Sequence, residues 1–212
     1  LENSLRFRSS ASAYLSRTPA TAGNRKTWTW SSWVKRGALG SIGELLGSNG
    51  STDNTNFAIE FNGDTVYIGV YNFVVLQSTA VFRDPSAWYH LVVTFDSTQS
   101  TAANRVQVYI NGVEITSWST DNRASITLNG DYGINNNTVH NIGRNPVLAS
   151  RYYDGYLTEV NLIDGQALTA SDFGETNEDT GVWQPIKYTG TYGTNGFYLK
   201  GRGTDNSGNG NN

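Results

Sequence analysis

Between Arg105 and Thr116 the chain reads RVQVYINGVEIT, so that Val106, Val108 and Ile110 alternate with Gln107 and Tyr109. A period of two is the mark of a strand with one face in a core and the other facing outward. The Asn111-Gly112 pair that follows suits a type I′ hairpin turn, which needs positive φ at both central residues. Phe57 to Phe61 and Thr65 to Val70 repeat the arrangement about Asn62-Gly63, and a third such pair stands at Asn129-Gly130. Further strands are predicted over Ser4–Arg8, Tyr14–Arg17, Trp28–Arg36, Ile42–Gly47, Trp88–Phe95, Tyr156–Ile163 and Gly196–Lys200. Helical periodicity is almost absent. The exception is Thr169 to Phe173, a capping pattern that predicts about one turn.

Many short strands punctuated by turns, with no helices between them, fold as two packed antiparallel sheets. The expectation is therefore an all-β antiparallel β-sandwich of the jelly-roll kind, one domain over residues 1–200, with a Gly/Asn-rich tail or linker at 201–212. Trp28, Trp30, Val93, Val106, Val108 and Ile110 are expected to be buried together. Trp33 has the opposite parity to Trp28 and Trp30 and is expected on the other sheet face.

Composition narrows the function. A chain of 212 residues buries roughly 70% of its unfolded surface, enough to need no covalent staples. With no Cys there is no disulfide framework, thiolate zinc site or thiol nucleophile. The net charge of -3 and the scattered Lys and Arg argue against nucleic acid as a partner. The longest apolar runs, such as Phe73 to Leu76, fall far short of the ~18 residues of a membrane span. The absence of Met and the opening Leu1-Glu2 read as an excised piece of a longer protein, with neighbouring domains as expected partners.

Three segments in order resemble a known family. Trp28 to Lys35 (WTWSSWVK) is similar to its "FTISAWVK" strand, Ala87 to Asp96 (AWYHLVVTFD) to its "W-x-H" strand, and Val108 to Val113 (VYINGV) to its "Y-v-N-G" hairpin. Ile142 to Arg144 and Tyr153 to Leu168 resemble its closing strands. These motifs span about Ser4 to Phe173 and are those of laminin-G-like, concanavalin A-like lectin/glucanase superfamily domains. The family's Asp before the closing Glu is Thr158 here, which puts any role of that carboxylate in doubt. Gly174 to Lys200 and the terminal DNSGNGNN resemble a tail found in large bacteriophage virion proteins. Domains of this fold serve as lectins, adhesion modules and glycosidases alike, so the resemblance implies fold more than function.

The glucanase reading needs two carboxylates in register, and the nearest match is Glu159, Asn161 and Asp164, in which the middle carboxylate is an amide. No catalytic residue is assigned on that basis. His90 is expected to be a half-buried structural residue and His140 to be solvated in an Asn-rich loop. Oxygen ligands for calcium, the one cofactor considered and not a required one, are sought first at Asp131 and Asp154 and then at Asp205.

A ligand site is placed on the loop Arg144 to Asp154 (RNPVLASRYYD). Arg144, Asn145, Arg151, Tyr152 and Tyr153 combine aromatic faces for sugar C–H surfaces with donors and acceptors for hydroxyls. Trp33 on its sheet face is the reserve candidate. The expected function is non-catalytic recognition of cell-surface glycan by a phage tail fibre or other virion-surface or extracellular protein. The alternatives are an assembly module of a multimeric fibre, which would form homo-oligomers, and, more remotely, a glycoside hydrolase.

Overall fold

The computed structural model describes residues 3–211. In chain order the strands are β1 (Leu5–Phe7), β2 (Leu15–Arg17), β3 (Thr27–Arg36), β4 (Gly43–Ser48), β5 (Phe57–Asn62), β6 (Thr65–Gly69), β7 (Val74–Ser78) and β8 (Tyr89–Asp96). They continue with β9 (Val106–Ile110), β10 (Val113–Glu114), β11 (Trp118–Asp121), β12 (His140–Ile142), β13 (Gly155–Asp164), β14 (Gly174–Thr176), β15 (Trp183–Pro185) and β16 (Phe197–Leu199). All pairings are antiparallel.

One seven-stranded sheet runs β1-β13-β3-β8-β9-β10, with β16 also on β13; the other runs β11-β7-β6-β5-β4-β12-β2. Their inner faces enclose one core, in which Trp28 stacks on Phe95 at 5.2 Å and meets Phe57 of the facing sheet edge-on at 5.0 Å. Trp28, Trp30, Val93, Val106 and Val108 are wholly buried there, and Ile110 packs against them half-buried at the end of its strand. The antiparallel β-sandwich expected from the alternating pattern is thus the observed fold.

The hairpin at Asn111-Gly112 forms as the residues require, with φ of 49° and 84°. The one at Asn62-Gly63 is displaced by a residue. Asn62 still pairs with Thr65, so Gly63 and Asp64 make the turn, and only Gly63 takes positive φ. Asn129-Gly130 makes no hairpin. It lies in the long connection between β11 and β12, where Asn129 is left-handed and its N–H donates to the Ser97 carbonyl. The capping pattern at Thr169 closes a single 3₁₀ turn, Ala170–Asp172, with both reciprocal capping contacts present.

The outer face of the first sheet is not open. The chain after Phe173 crosses it, and Val92, Tyr109, Ile163, Phe173, Tyr188, Tyr192 and Tyr198 form a second apolar layer with Trp183 at its margin. Residues 201–211 turn back onto β16, where Asp205 accepts the backbone N–H groups of Tyr198, Ser207 and Asn211.

Candidate functional site

The outer face of the second sheet carries a polar row set by register. Glu44 on β4 pairs with Glu60 on β5, Glu60 with Tyr67 on β6, and Tyr67 with Gln77 on β7. Both glutamates are 0% exposed because the loop from Arg144 to Tyr153 folds down over them. Arg151, left-handed at φ 54°, donates from Nη1 to both carboxylate oxygens of Glu60 at 3.1 and 3.2 Å. Asn145 donates from Nδ2 to Glu44 Oε2 at 2.5 Å, while its Oδ1 accepts the N–H groups of Val147 and Leu148. The other glutamate oxygen, Glu44 Oε1, is buried with no partner among the described residues. A Cβ on Gly47 would stand 1.6 Å from that oxygen and 3.0 Å from Pro146, so a glycine is required for the carboxylate and loop to lie flat on the sheet.

Burial, and after it the neighbouring Glu60, pushes the Glu44 carboxyl up to about 8. Burial also raises Glu60, against the pull of the Arg151 guanidinium. At neutral pH Glu44 therefore holds a proton and can donate as well as accept.

Above this base the loop presents a surface. The Arg144 guanidinium lies 3.8 Å from the ring centroid of Tyr14, a cation–π contact, and Tyr152 stands 6.5 Å from the same ring. With the Asn141 amide oriented to satisfy its neighbours, its oxygen accepts from Arg144 at 3.0 and 3.1 Å and its nitrogen donates to Ser16 Oγ. Tyr14 is 40% exposed, Arg144 and Tyr152 half-buried, and Val147 and Leu148 open to solvent at the loop tip. Two phenol rings and a guanidinium fixed by the buried Asn141 amide thus share one patch.

The expected site residues therefore divide. Arg144 and Tyr152 meet at the surface, and Arg151 is half-buried on Glu60. Asn145 is buried and spent on Glu44, a correction to its expected role as a ligand acceptor. Tyr153 is likewise not a surface group. Its ring packs edge-on to Phe7, its OH donates to the Lys35 carbonyl at 2.7 Å, and burial pushes its phenol far up. Trp33 is on the outer sheet face, as its parity required, but is only 6% exposed because His90 stacks on it at 5.1 Å and Trp183 covers His90. His140 is buried at the head of β12 and held neutral by burial, down to about 4, instead of being solvated.

Tyr14 was missed as a site residue. It lies 130 positions from Arg144, and only the pairing of β2 with β12 brings them together.

Neither proposed metal carboxylate gathers others. Asp154 Oδ2 accepts the Ser9 N–H and Oγ–H, Asp131 is exposed, and no three His, Asp or Glu side chains among the described residues converge. The glucanase-like trio does not assemble either. Asp164 is filled by donors from Asn24, Asn135 and Asn195, and Asn161 Oδ1 accepts from Tyr192. Glu44 and Glu60, which face each other directly, are closed off by the loop, leaving no room for a sugar ring between acid and nucleophile.

Several known proteins share this architecture. A Bacteroides ovatus protein assigned to carbohydrate binding by name alone superposes with a TM-score of 0.59 at 14% identity, over 93% of this chain and 50% of that one. The heptameric SAP-like pentraxin of Limulus polyphemus gives 0.52 at 16% identity, over 78% and 76%. Domains LG4-5 of the mouse laminin α1 chain give 0.53 at 14%, over 76% and 40%. The chain thus spans half the length of the Bacteroides protein, and at these identities the likeness is one of fold. No curated protein sequence matches. The family model for a laminin G-type domain matches residues 9–172, most of the chain, and the protein belongs to that family of the concanavalin A-like lectin/glucanases superfamily.

Proposed function

We propose that this domain is a non-catalytic glycan-recognition module whose ligand seats on the Tyr14–Arg144–Tyr152 surface. The observation that carries the reading is the way this patch is held. Tyr152 and the Arg144 guanidinium sit on a loop anchored from beneath by Asn145 on Glu44 and Arg151 on Glu60, and Tyr14, ahead of β2, completes the patch beside them. Sugar rings bind through C–H surfaces against aromatic faces and hydroxyls against fixed donors and acceptors, and a pre-ordered loop loses little entropy on binding. Membership of a lectin-containing superfamily and the carbohydrate-binding name of the Bacteroides structural relative agree with it. The filled oxygens of Asp164 and the closure of the Glu44–Glu60 pair support binding without hydrolysis.

The setting we infer is a virion-surface or other extracellular protein, on the strength of the resemblance of Gly174 to Lys200 and the terminal DNSGNGNN to a tail of large bacteriophage virion proteins. A glycan array probed with the domain, together with its mass in solution, tests the reading. Reproducible glycan binding is expected. A stable oligomer with no glycan signal would favour an assembly module, and release of reducing ends from a bound polysaccharide would favour an enzyme.

A further inference from the structure

Where the edges of the two sheets approach each other beside β2 and β16, an apolar cavity lies between them. Leu15, Leu46 and Ile142 of the second sheet and Leu162, Phe197 and Leu199 of the first supply its hydrocarbon wall, and Gly203 and Asn211 join it from the segment that turns back onto β16. Its volume is about 120 Å³, a little below the roughly 150 Å³ of an apolar protein cavity that holds benzene.

Two residues of the wall carry buried acceptors that no donor among the described residues reaches. Asn135 is 1% exposed, and its Nδ2 donates to the Asn24 carbonyl at 2.9 Å and to Asp164 Oδ1 at 3.1 Å. Those two bonds fix the amide and leave its Oδ1 unpaired. His140 is 9% exposed, and its Nδ1 lies 2.8 Å from the Thr138 carbonyl, which can only accept. The ring proton therefore sits on Nδ1, and Nε2 is a bare acceptor; the neighbouring Gly133 carbonyl, itself an acceptor, supplies no donor. A buried acceptor costs free energy until a donor reaches it. The charged residue of the wall, Arg17, is already engaged. Its Nη1 donates to the Asn195 carbonyl at 2.9 Å and its Nη2 to Asn211 Oδ1 at 2.6 Å, with the Asp164 and Asp205 carboxylates near enough to attract it. The cavity thus suits an apolar body with a donor, and no ion.

We propose that this cavity binds a small neutral aliphatic molecule bearing a hydroxyl or N–H donor, with its hydrocarbon between the two sheets and its donor on His140 Nε2 or Asn135 Oδ1. A pure hydrocarbon leaves both acceptors unpaired, and a cation would meet the Arg17 guanidinium. A sugar ring would turn most of its hydroxyls against hydrocarbon, where they lose their hydrogen bonds to water. Tyr14, Arg144 and Tyr152 are not part of this wall, so the inference stands apart from the glycan-recognition reading.

The test is methyl-detected NMR titration of the intact domain with isobutanol and with its isomer isopropyl methyl ether, which has the same atoms and no donor. Saturable shifts at the methyl groups of Leu46, Ile142 and Leu162 are expected with isobutanol, at an affinity about tenfold above that of the ether, the scale of one hydrogen bond to a buried acceptor. Leu15→Phe, at a half-buried position on the edge strand β2, should fill the cavity and abolish those shifts without lowering the melting temperature. Equal affinity for the two isomers would overturn the proposal, because a water and not a ligand would then serve the acceptors. Shifts confined to other residues, no shift up to the solubility of isobutanol, or shifts that persist in a folded Leu15→Phe would overturn it as well. If that variant does not fold, the methyl map and the isomer pair decide alone.

Discussion

Trp183 donates its indole N–H to Nδ1 of His90 at 2.9 Å, and the opposite ring nitrogen of His90 meets Ser31 Oγ at the same distance. An N–H donor at Nδ1 requires that nitrogen to be bare, so the ring is neutral with its proton on Nε2, donated to Ser31. Burial holds His90 down to about 3 and so keeps the ring neutral. The stack Trp33–His90–Trp183 thereby fastens the segment after the family-matched region to the sheet.

Replacing Trp183 by Ala should remove this clamp. A loss of about 2–4 kcal/mol is expected from the deleted ring and the uncovered His90 and Trp33. Chemical denaturation measures it, and a red shift in tryptophan emission from the exposed Trp33 should accompany it. Unchanged stability with unchanged emission would mean the segment is held elsewhere.

The buried glutamates and histidines give stability a pH profile with a maximum. The folded-state pKa of Glu44 lies above its unfolded value, so its contribution is complete below about 4.5 and is lost as pH rises toward about 8. His90 and His140 have folded values of about 3 and 4, below their unfolded 6.5, so their contributions are complete above 6.5 and fade as pH falls. Stability should therefore peak near pH 6.5 and decline on the alkaline side, where only the glutamates still act. In Glu44→Gln, which keeps an acceptor for Asn145, the decline between pH 6.5 and 8 should shrink and the protein should melt higher at pH 8. Thermal melts across that range decide it; an identical slope in the variant would place the titration on another group.

Gly47→Ala tests the seating of the loop. A methyl group there collides with the Glu44 carboxylate and approaches Pro146, so the loop must lift. A cost of about 1–3 kcal/mol is expected, the usual penalty of forcing extra atoms into a packed site, with faster amide exchange at Val147 and Leu148. Protection at those amides equal to the parent protein would contradict the packing described.

The two-residue alternation made the sandwich legible, because burial of one strand face leaves its mark on every second side chain, as at Val106 and Val108. Asn111-Gly112 was equally readable, since its turn is decided within two residues. The slip at Asn62-Gly63 was not: glycine there satisfies either of two adjacent turns, and the register between Asn62 and Thr65 chooses. At the site, Arg144 and Tyr152 could be read from one loop. The burial of Tyr153 depends on Phe7 and Lys35, and that of Trp33 on Trp183, residues far along the chain whose approach no local pattern records. Glu44 and Glu60 are isolated acids in the sequence and become a pair only through the pairing of β4 with β5.

The proposed glycan recognition at the loop surface assigns the main contacts to Tyr152 and Arg144. The measurement is the affinity of Tyr152→Ala and of Arg144→Ala for the strongest neutral glycan found on the array, by calorimetry, with melting temperatures matched to the parent. Each is expected to lose affinity by about tenfold or more, the effect of removing a stacking ring or a charged donor from a small site. Full affinity in both variants would contradict glycan recognition at this surface.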